Sequence, residues 1–282
     1  MPHQPPAPDA DAVRQLLAPV PPECEIRPVD EGGEHSTWWI GPDRVLRLAL
    51  DEDGSVRQGR EIALRDALRP ALSVAVPESV AHGQWAPGLT YTLDTRLGGV
   101  SAERRAVSDL GERALARMLM ELRAFPVERA AELGVPVAAP RDSVALWETA
   151  GQPPGGPGPA ATATAGVLTH RDLKGEHLLI DSAGGVSGVL DWTDAVIGDP
   201  AEDIAGLAIS VGAPAAVRAA RLAGYGPEVC ARGVWLARYD TVIRLVDRLR
   251  GTDDSPLPLL RVQRDRAWTS PGGRPAPGAR RP

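Results

Sequence analysis

Asp172 and Asp191 stand nineteen residues apart in this 282-residue chain, with Lys174 and His177 between them. The first closes Thr169-His170-Arg171-Asp172, and the second follows the strand-like run Val186-Ser187-Gly188-Val189-Leu190. Two carboxylates at this spacing suit transfer of a phosphoryl group from ATP (or GTP), a reaction that makes two demands on a protein. The acceptor hydroxyl must be held in line while its proton is taken, and Asp172 is the carboxylate for that task. The charge on the β- and γ-phosphates must be neutralised, and Asp191 would hold the divalent ion, Mg²⁺ or Mn²⁺, that does so. Lys174 either neutralises the moving phosphoryl group or is a surface lysine.

These groups act together only if the chain between them folds back. Asp181-Ser182-Ala183-Gly184-Gly185 reads as the turn of a hairpin joining residues 178–180 to 186–190, which returns Asp191 to the edge that carries Asp172. His170 is assigned to bracing the loop by hydrogen bonding. Against the protein-kinase pattern His-Arg-Asp-Leu-x-x-x-Asn, His177 stands where the asparagine belongs, and the chain has no asparagine at all. A neutral imidazole ligates divalent ions, Mn²⁺ more readily than Mg²⁺. The alternative is that His177 only packs and one metal ligand is missing.

Thr169 through Asp172, then Asp191-Trp192-Thr193-Asp194-Ala195 and Gly198-Asp199-Pro200-Ala201-Glu202-Asp203, resemble the antibiotic phosphotransferases of the aminoglycoside phosphotransferase superfamily. The macrolide-modifying branch is similar in its histidine at the asparagine position and in the segment 191–195. The branch acting on viomycin- and capreomycin-type peptides is similar in Gly175-Glu176 and in 198–203. The resemblance spans residues 167–207. It implies a bilobal, protein-kinase-like α+β fold: an N-lobe with a small antiparallel, nucleotide-binding sheet over residues 1–96, and a mostly helical C-lobe over 97–252 with the catalytic loop and acceptor site. From 253 to 282 Pro, Gly and Arg dominate, which predicts a disordered tail.

The elements required of the first lobe can be read along the chain. Residues 9–18 predict a short helix, and residues 29–40 predict strand, turn and strand around Gly32-Gly33. In a kinase-like fold such a turn covers phosphates, with Gly33 admitting close backbone approach and Ser36 donating a hydrogen bond; a plain hairpin is the alternative. Residues 44–50 alternate as a strand, and Arg47 takes the phosphate-holding place that a lysine fills in kinases, the chain's one lysine being Lys174. Glu61, fourteen positions later at the start of the helical stretch 60–68, is its expected partner, a solvated strand-edge arginine and a helix-face glutamate being the alternative. Residues 73–77 and 85–93 read as further strands, giving a sheet of about five. Residues 94–99 would then be the hinge, with Leu93, Asp94 and Thr95 as the backbone contacts to the adenine.

In the second lobe Ser108 is placed to cap a helix with Leu115, Met118, Leu119 and Leu122 at helical spacing. Residues 151–166, rich in Pro, Gly, Ala and Thr, form a loop before the catalytic strand, either a lid or a tolerated insertion. Asp191, Asp194, Asp199, Glu202 and Asp203 place five carboxylates within thirteen residues. That density predicts an anionic wall for a cationic acceptor, although Asp199 and Glu202 also fit a helix cap. Asp194, Asp203 and Asp240, the last on a helix expected over 227–250, are the candidate acceptor contacts.

A net charge of −6 speaks against nucleic acid and permits a basic small-molecule partner. Two distant cysteines, the absence of an export-type N-terminus and the lack of a membrane-length apolar run predict a cytoplasmic protein with free thiols, off the membrane, a monomer or weak dimer. The resemblance implies an ATP-dependent phosphotransferase that modifies a hydroxyl of a small cationic antibiotic, an aminoglycoside or a capreomycin-type peptide. A macrolide phosphotransferase and a small-metabolite kinase are the alternatives. A nucleotide-binding relative without turnover is the rival of another class.

Overall fold

Alternation along Arg44–Ala49 puts Leu46 and Leu48, both fully buried, on one face of a strand and Arg47 on the other. Around that strand the first unit forms. The computed structural model describes residues 8–17, 23–29, 35–151, 156–161 and 166–270. They divide into one compact unit over 1–71 and 75–98 and a second over 72–74 and 99–282.

The first unit runs α1 (Ala10–Leu16), β1 (Ile26–Pro28), β2 (His35–Ile40), β3 (Arg44–Ala49), α2 (Glu52–Leu68), β4 (Ser79–Ala86) and β5 (Leu89–Thr95). The strands make one antiparallel sheet in the order β1-β2-β3-β5-β4. Its core joins Val13 and Leu17 to Trp38, Ile40, Leu46 and Leu48. The sheet has the expected five strands, but two of them are not where the sequence places them. Residues 73–77 are not one of its strands, and 85–93 is the tip of a hairpin, because Pro87-Gly88, with Gly88 at φ 74°, turns the chain between β4 and β5. The helix also begins eight residues before 60, since the Asp51 side chain accepts the Gly54 N–H at 2.6 Å and caps it.

The second unit runs β6 (Val100–Ser101), α3 (Asp109–Ala124), α4 (Val127–Glu132), α5 (Ser143–Thr149), β7 (Val167–Thr169), a 3₁₀ turn (Gly175–His177), β8 (Leu178–Ile180), β9 (Val186–Val189) and β10 (Val196–Gly198). Four helices follow: α6 (Ala201–Ser210), α7 (Ala213–Leu222), α8 (Pro227–Arg250) and α9 (Leu257–Trp268). Leu115, Met118, Leu119 and Leu122 of α3 are buried at helical spacing, as expected. Ser108 stands at the N-cap of α3, yet its side chain makes no capping bond. The expectation of disorder over 253–282, of which 271–282 lie outside the described residues, is corrected at 257–268 by α9. Leu260, Gln263 and Ala267 are buried on one side of it, so a Pro- and Arg-rich composition did not prevent a packed helix. Among the described residues no helix is long and apolar enough to cross a membrane. Cys24 and Cys230 are both free thiols.

Candidate active site

Two short strand pairings decide where the Asp172 and Asp191 carboxylates lie. β7 pairs antiparallel with β10, Thr169 opposite Val196, so the loop leaving β7 and the loop entering β10 emerge at the same end. β8 pairs with β9, Leu178 opposite Val189, and the Leu190 N–H donates to the His177 carbonyl at 2.8 Å. The hairpin turn is closed by Asp181, whose Oδ1 accepts the Ala183 and Gly185 N–H groups. Asp172 and Asp191 are therefore the inner ends of neighbouring loops.

One imidazole lies between them. His177 Nδ1 is 2.8 Å from the Asp172 carbonyl oxygen and 3.4 Å from its carboxylate, while Nε2 is 3.8 Å from Asp191 Oδ2. A carbonyl only accepts, so Nδ1 carries a proton, and in the neutral ring Nε2 keeps a lone pair. A lone pair facing a carboxylate is repulsive unless a cation lies between them. This pairing of a neutral nitrogen with an anionic oxygen fits a divalent ion. Among the described residues no three His, Cys, Asp or Glu side chains form a metal cage, so phosphate oxygens and water would complete the coordination. The Lys174 ammonium sits 3.0 and 3.1 Å from the two Asp172 oxygens, where an incoming hydroxyl would compete with it.

The loop is braced from beneath by groups without solvent contact. Arg171 and Asp191 have φ values of 68° and 57°, a conformation that costs a non-glycine residue about 1–3 kcal/mol. Asp203 holds the first of these turns, accepting the His170 N–H at 3.1 Å and the Arg171 N–H at 2.7 Å. Burial pushes its carboxyl up to about 7, against the pull of those two donors. Asp203 was an expected acceptor contact; at 2% exposure, with both oxygens on backbone, it is instead part of the scaffold. His170 donates from Nε2 to the Leu190 carbonyl at 2.9 Å and accepts the Asp172 N–H at Nδ1. Burial, helped by the nearby His177, lowers its pKa to about 4, so the bracing ring is neutral. Leu173 anchors the other side: its carbonyl accepts the Ser210 hydroxyl, and its backbone lies so close to Gly206 that a Cβ there would sit 3.1 Å from Leu173 N. Arg266 of α9 extends this support, donating to the Ser210 and Ala102 carbonyls, a contribution that composition alone had hidden.

In the first unit Arg47 Nη1 lies 2.9 Å from both Glu61 oxygens, and the Glu61 side chain has no solvent exposure. The sequence-based pairing of these two residues is thus formed. Ser36 lies within β2 rather than in a turn, and its hydroxyl accepts the Trp38 indole N–H. Gly33 lies outside the described residues. The hinge contacts need correction. Leu93, Asp94 and Thr95 belong to β5, which pairs with β3 on one edge and β4 on the other, and the Thr95 N–H donates to the Glu78 carbonyl. A strand paired on both edges has little backbone left for an adenine, so any such contact falls after β5. The Asp94 side chain is also engaged, accepting both Arg65 Nη groups at 2.9 and 3.1 Å.

Two of the five carboxylates of the expected anionic wall, Asp199 and Glu202, are neutralised by arginines from distant segments. Arg232 pairs with Asp199 at 2.6 Å, and Arg141 donates to Glu202 at 2.8 Å and to Asp240 at 2.7 and 3.1 Å. Asp240 thus already has a cation. Of the candidate acceptor contacts, Asp194 is the exposed one. The described part of the 151–166 loop is tied down as well, with Ser143 and Arg232 donating to Gly158 and Pro159 carbonyls and Trp235 to that of Gly156.

Comparison with known proteins agrees with this geometry. Viomycin phosphotransferase from Streptomyces vinaceus is 43% identical over 62 residues, 21% of this chain and 22% of that protein. The uncharacterized protein YcbJ from Bacillus subtilis (strain 168) is 28% identical over 190 residues, 56% of this chain and 60% of that one. The chain therefore spans less than two thirds of either curated relative. Among solved structures, the GDP complex of wild-type aminoglycoside 2'-phosphotransferase-IIIa superposes with a TM-score of 0.68 at 22% identity, covering 86% of this chain and 92% of that one. Macrolide 2'-phosphotransferase MphH from Brachybacterium faecium gives 0.64 at 22% identity, covering 94% and 100%. At such identities the likeness is one of fold, the kinase-like fold of the aminoglycoside phosphotransferases. Residues 25–239 match the model of the APH phosphotransferase enzyme family, and the chain belongs to that family.

Proposed function

We propose that this protein transfers the terminal phosphoryl group of ATP or GTP to a hydroxyl of a small-molecule antibiotic and so protects its host. The observation that carries the reading is the single His177 imidazole spanning Asp172 and Asp191. Asp172 orients the hydroxyl and takes its proton. Lys174 passes from Asp172 to the transferring group as charge moves there. Arg47, held by Glu61, binds the nucleotide phosphates. A divalent ion held by Asp191 and His177 would supply charge neutralisation at those phosphates. Structural relatives that carry GDP support nucleotide binding. The reaction belongs in the cytoplasm, where nucleoside triphosphate is supplied and free thiols persist.

An aminoglycoside or a viomycin- or capreomycin-type peptide suits the net charge of −6, and the viomycin phosphotransferase match supports the peptide class. A macrolide is the second reading, favoured by one observation: each of Asp199, Glu202 and Asp240 already pairs with Arg232 or Arg141, so these three carboxylates are not free to hold a polycation. Incubating the protein with each compound and MgATP, MgGTP or MnATP, followed by mass spectrometry, separates these classes by which one gains a single phosphate. Nucleotide binding without product from any acceptor under either metal would instead identify a non-catalytic nucleotide binder.

A further inference from the structure

The buried positions of α2 include Leu64 and Leu68, yet most of them carry polar groups where such helices usually bury apolar ones. Ser55, Gln58, Glu61 and Arg65 recur at helical spacing, and all four are buried. Each has a specific partner. The Ser55 hydroxyl accepts the Thr90 N–H, and Gln58 donates to the Arg47 carbonyl and accepts from the Thr90 hydroxyl. Glu61 takes Arg47, and Arg65 places its fork on Asp94 of β5 while also donating to the Ser79 hydroxyl of β4. Ser79 in turn donates to Asp94 at 2.5 Å. Arg65 Nη1 lies 3.8 Å from Glu61, so the charges Arg47, Glu61, Arg65 and Asp94 alternate in one buried row. An apolar stripe tolerates sliding because any contact resembles the next. A stripe of hydrogen-bonding groups favours the one register that pairs the most of them; here both Arg65 Nη groups are paired while Nε is not.

We propose that Arg65 and Asp94, seated on Ser79, are positioning residues for nucleotide binding: they lock the register of α2 on the sheet so that Glu61 presents Arg47 to the phosphates. This deepens the proposed phosphotransfer reading and rests on its assignment of Arg47 to the nucleotide. Neither Arg65 nor Asp94 has to touch the nucleotide for this. A buried ion pair replaced by apolar groups of similar size often keeps or gains stability, so stability and positioning can be separated.

The test is calorimetric titration of the full chain with MgATP and with adenosine, which lacks the phosphates, for wild type, Arg65→Met, Asp94→Leu and the double Arg65→Met/Asp94→Leu variant. Each single change should lower Tm and weaken MgATP at least tenfold. The double variant should recover Tm while MgATP stays at least tenfold weaker, with adenosine affinity within twofold of wild type throughout. If the singles do not fold, Asp94→Asn and Ser79→Ala are read in the same way, with a smaller loss confined to MgATP. MgATP affinity restored together with Tm, or adenosine weakened in parallel with MgATP, would overturn the proposal by showing a merely structural pair. A wild type that binds MgATP but phosphorylates no acceptor sinks the functional reading alone, because these titrations need no acceptor. A wild type that binds no nucleotide sinks both.

Discussion

Arg47 and Glu61 in the first unit lie on a strand and a helix, with side chains 13% and 0% exposed. Asp172 and Asp191 in the second lie on loops, 19% and 40% exposed, beside backbone that L-residues seldom adopt. The first arrangement is fixed by electrostatic closure, each buried charge having an opposite neighbour. The second is fixed by strain and its restraint: Arg171 and Asp191 hold left-handed conformations while Asp203, His170 and Ser210 pin the surrounding backbone. The contrast suits the proposed tasks. A guanidinium that binds phosphate has only to stay in place. A base and a metal ligand would have to meet incoming groups, which calls for accessible side chains whose rigidity comes from atoms underneath.

The largest expected effect tests the exposed set. Asp172→Ala should lower kcat by about 10³–10⁴-fold while leaving MgATP affinity unchanged, as measured by turnover and titration; retained turnover would remove Asp172 as the base. Next, Asp203→Ala strips two buried N–H groups of their acceptor. It should lower unfolding free energy by about 2–5 kcal/mol in urea melts and kcat by roughly 100-fold, with little change in nucleotide affinity. Equal losses of kcat and nucleotide affinity would show that the loop is not separately braced.

His170 gives a third, pH-dependent effect. Its folded pKa is about 4 against an ordinary imidazole value of about 6.5, so between those values the unfolded chain takes up the proton and the folded chain does not. The stability contributed by its neutral form is complete above pH 6.5 and is lost as pH falls toward 4. Wild type should lose roughly 2–3 kcal/mol more than His170→Gln between pH 7 and 4.5 in urea unfolding. Asp203 has the opposite slope, its raised carboxyl favouring the fold below about pH 4 and losing that contribution as pH rises to 7, which is why the comparison is between wild type and variant. Parallel pH profiles would place the acid sensitivity elsewhere. The smallest effect is Arg171→Gly, which should raise Tm modestly, by about 1 kcal/mol of relieved strain less the glycine's added unfolded-state entropy. A fall in Tm would mean that the Arg171 side chain outweighs the strain.

Two juxtapositions were legible in the sequence. A hairpin within the nineteen-residue spacing returns Asp191 to Asp172, a short-range rule of strand and turn, and the kinase-like spacing of fourteen residues pairs Arg47 with Glu61. Where a second segment decides, the sequence was silent or misleading. Asp199, Glu202 and Asp203 of the expected wall, and Asp240 beside it as a candidate acceptor contact, read as available carboxylates until Arg232, Arg141 and the backbone of residues 170–171 arrive from dozens of residues away. The same holds for Asp94 and Arg65, and for α9, which composition assigned to disorder; the β4–β5 turn, by contrast, is written locally in Pro87-Gly88, inside the stretch 85–93 read as a strand. Sequence by itself determined which chemical groups the chain carries and how neighbours along it are spaced. Tertiary structure alone decided which charges are neutralised, because Coulomb and hydrogen-bond partners are chosen by distance in space and by the exclusion of water, neither of which is written locally.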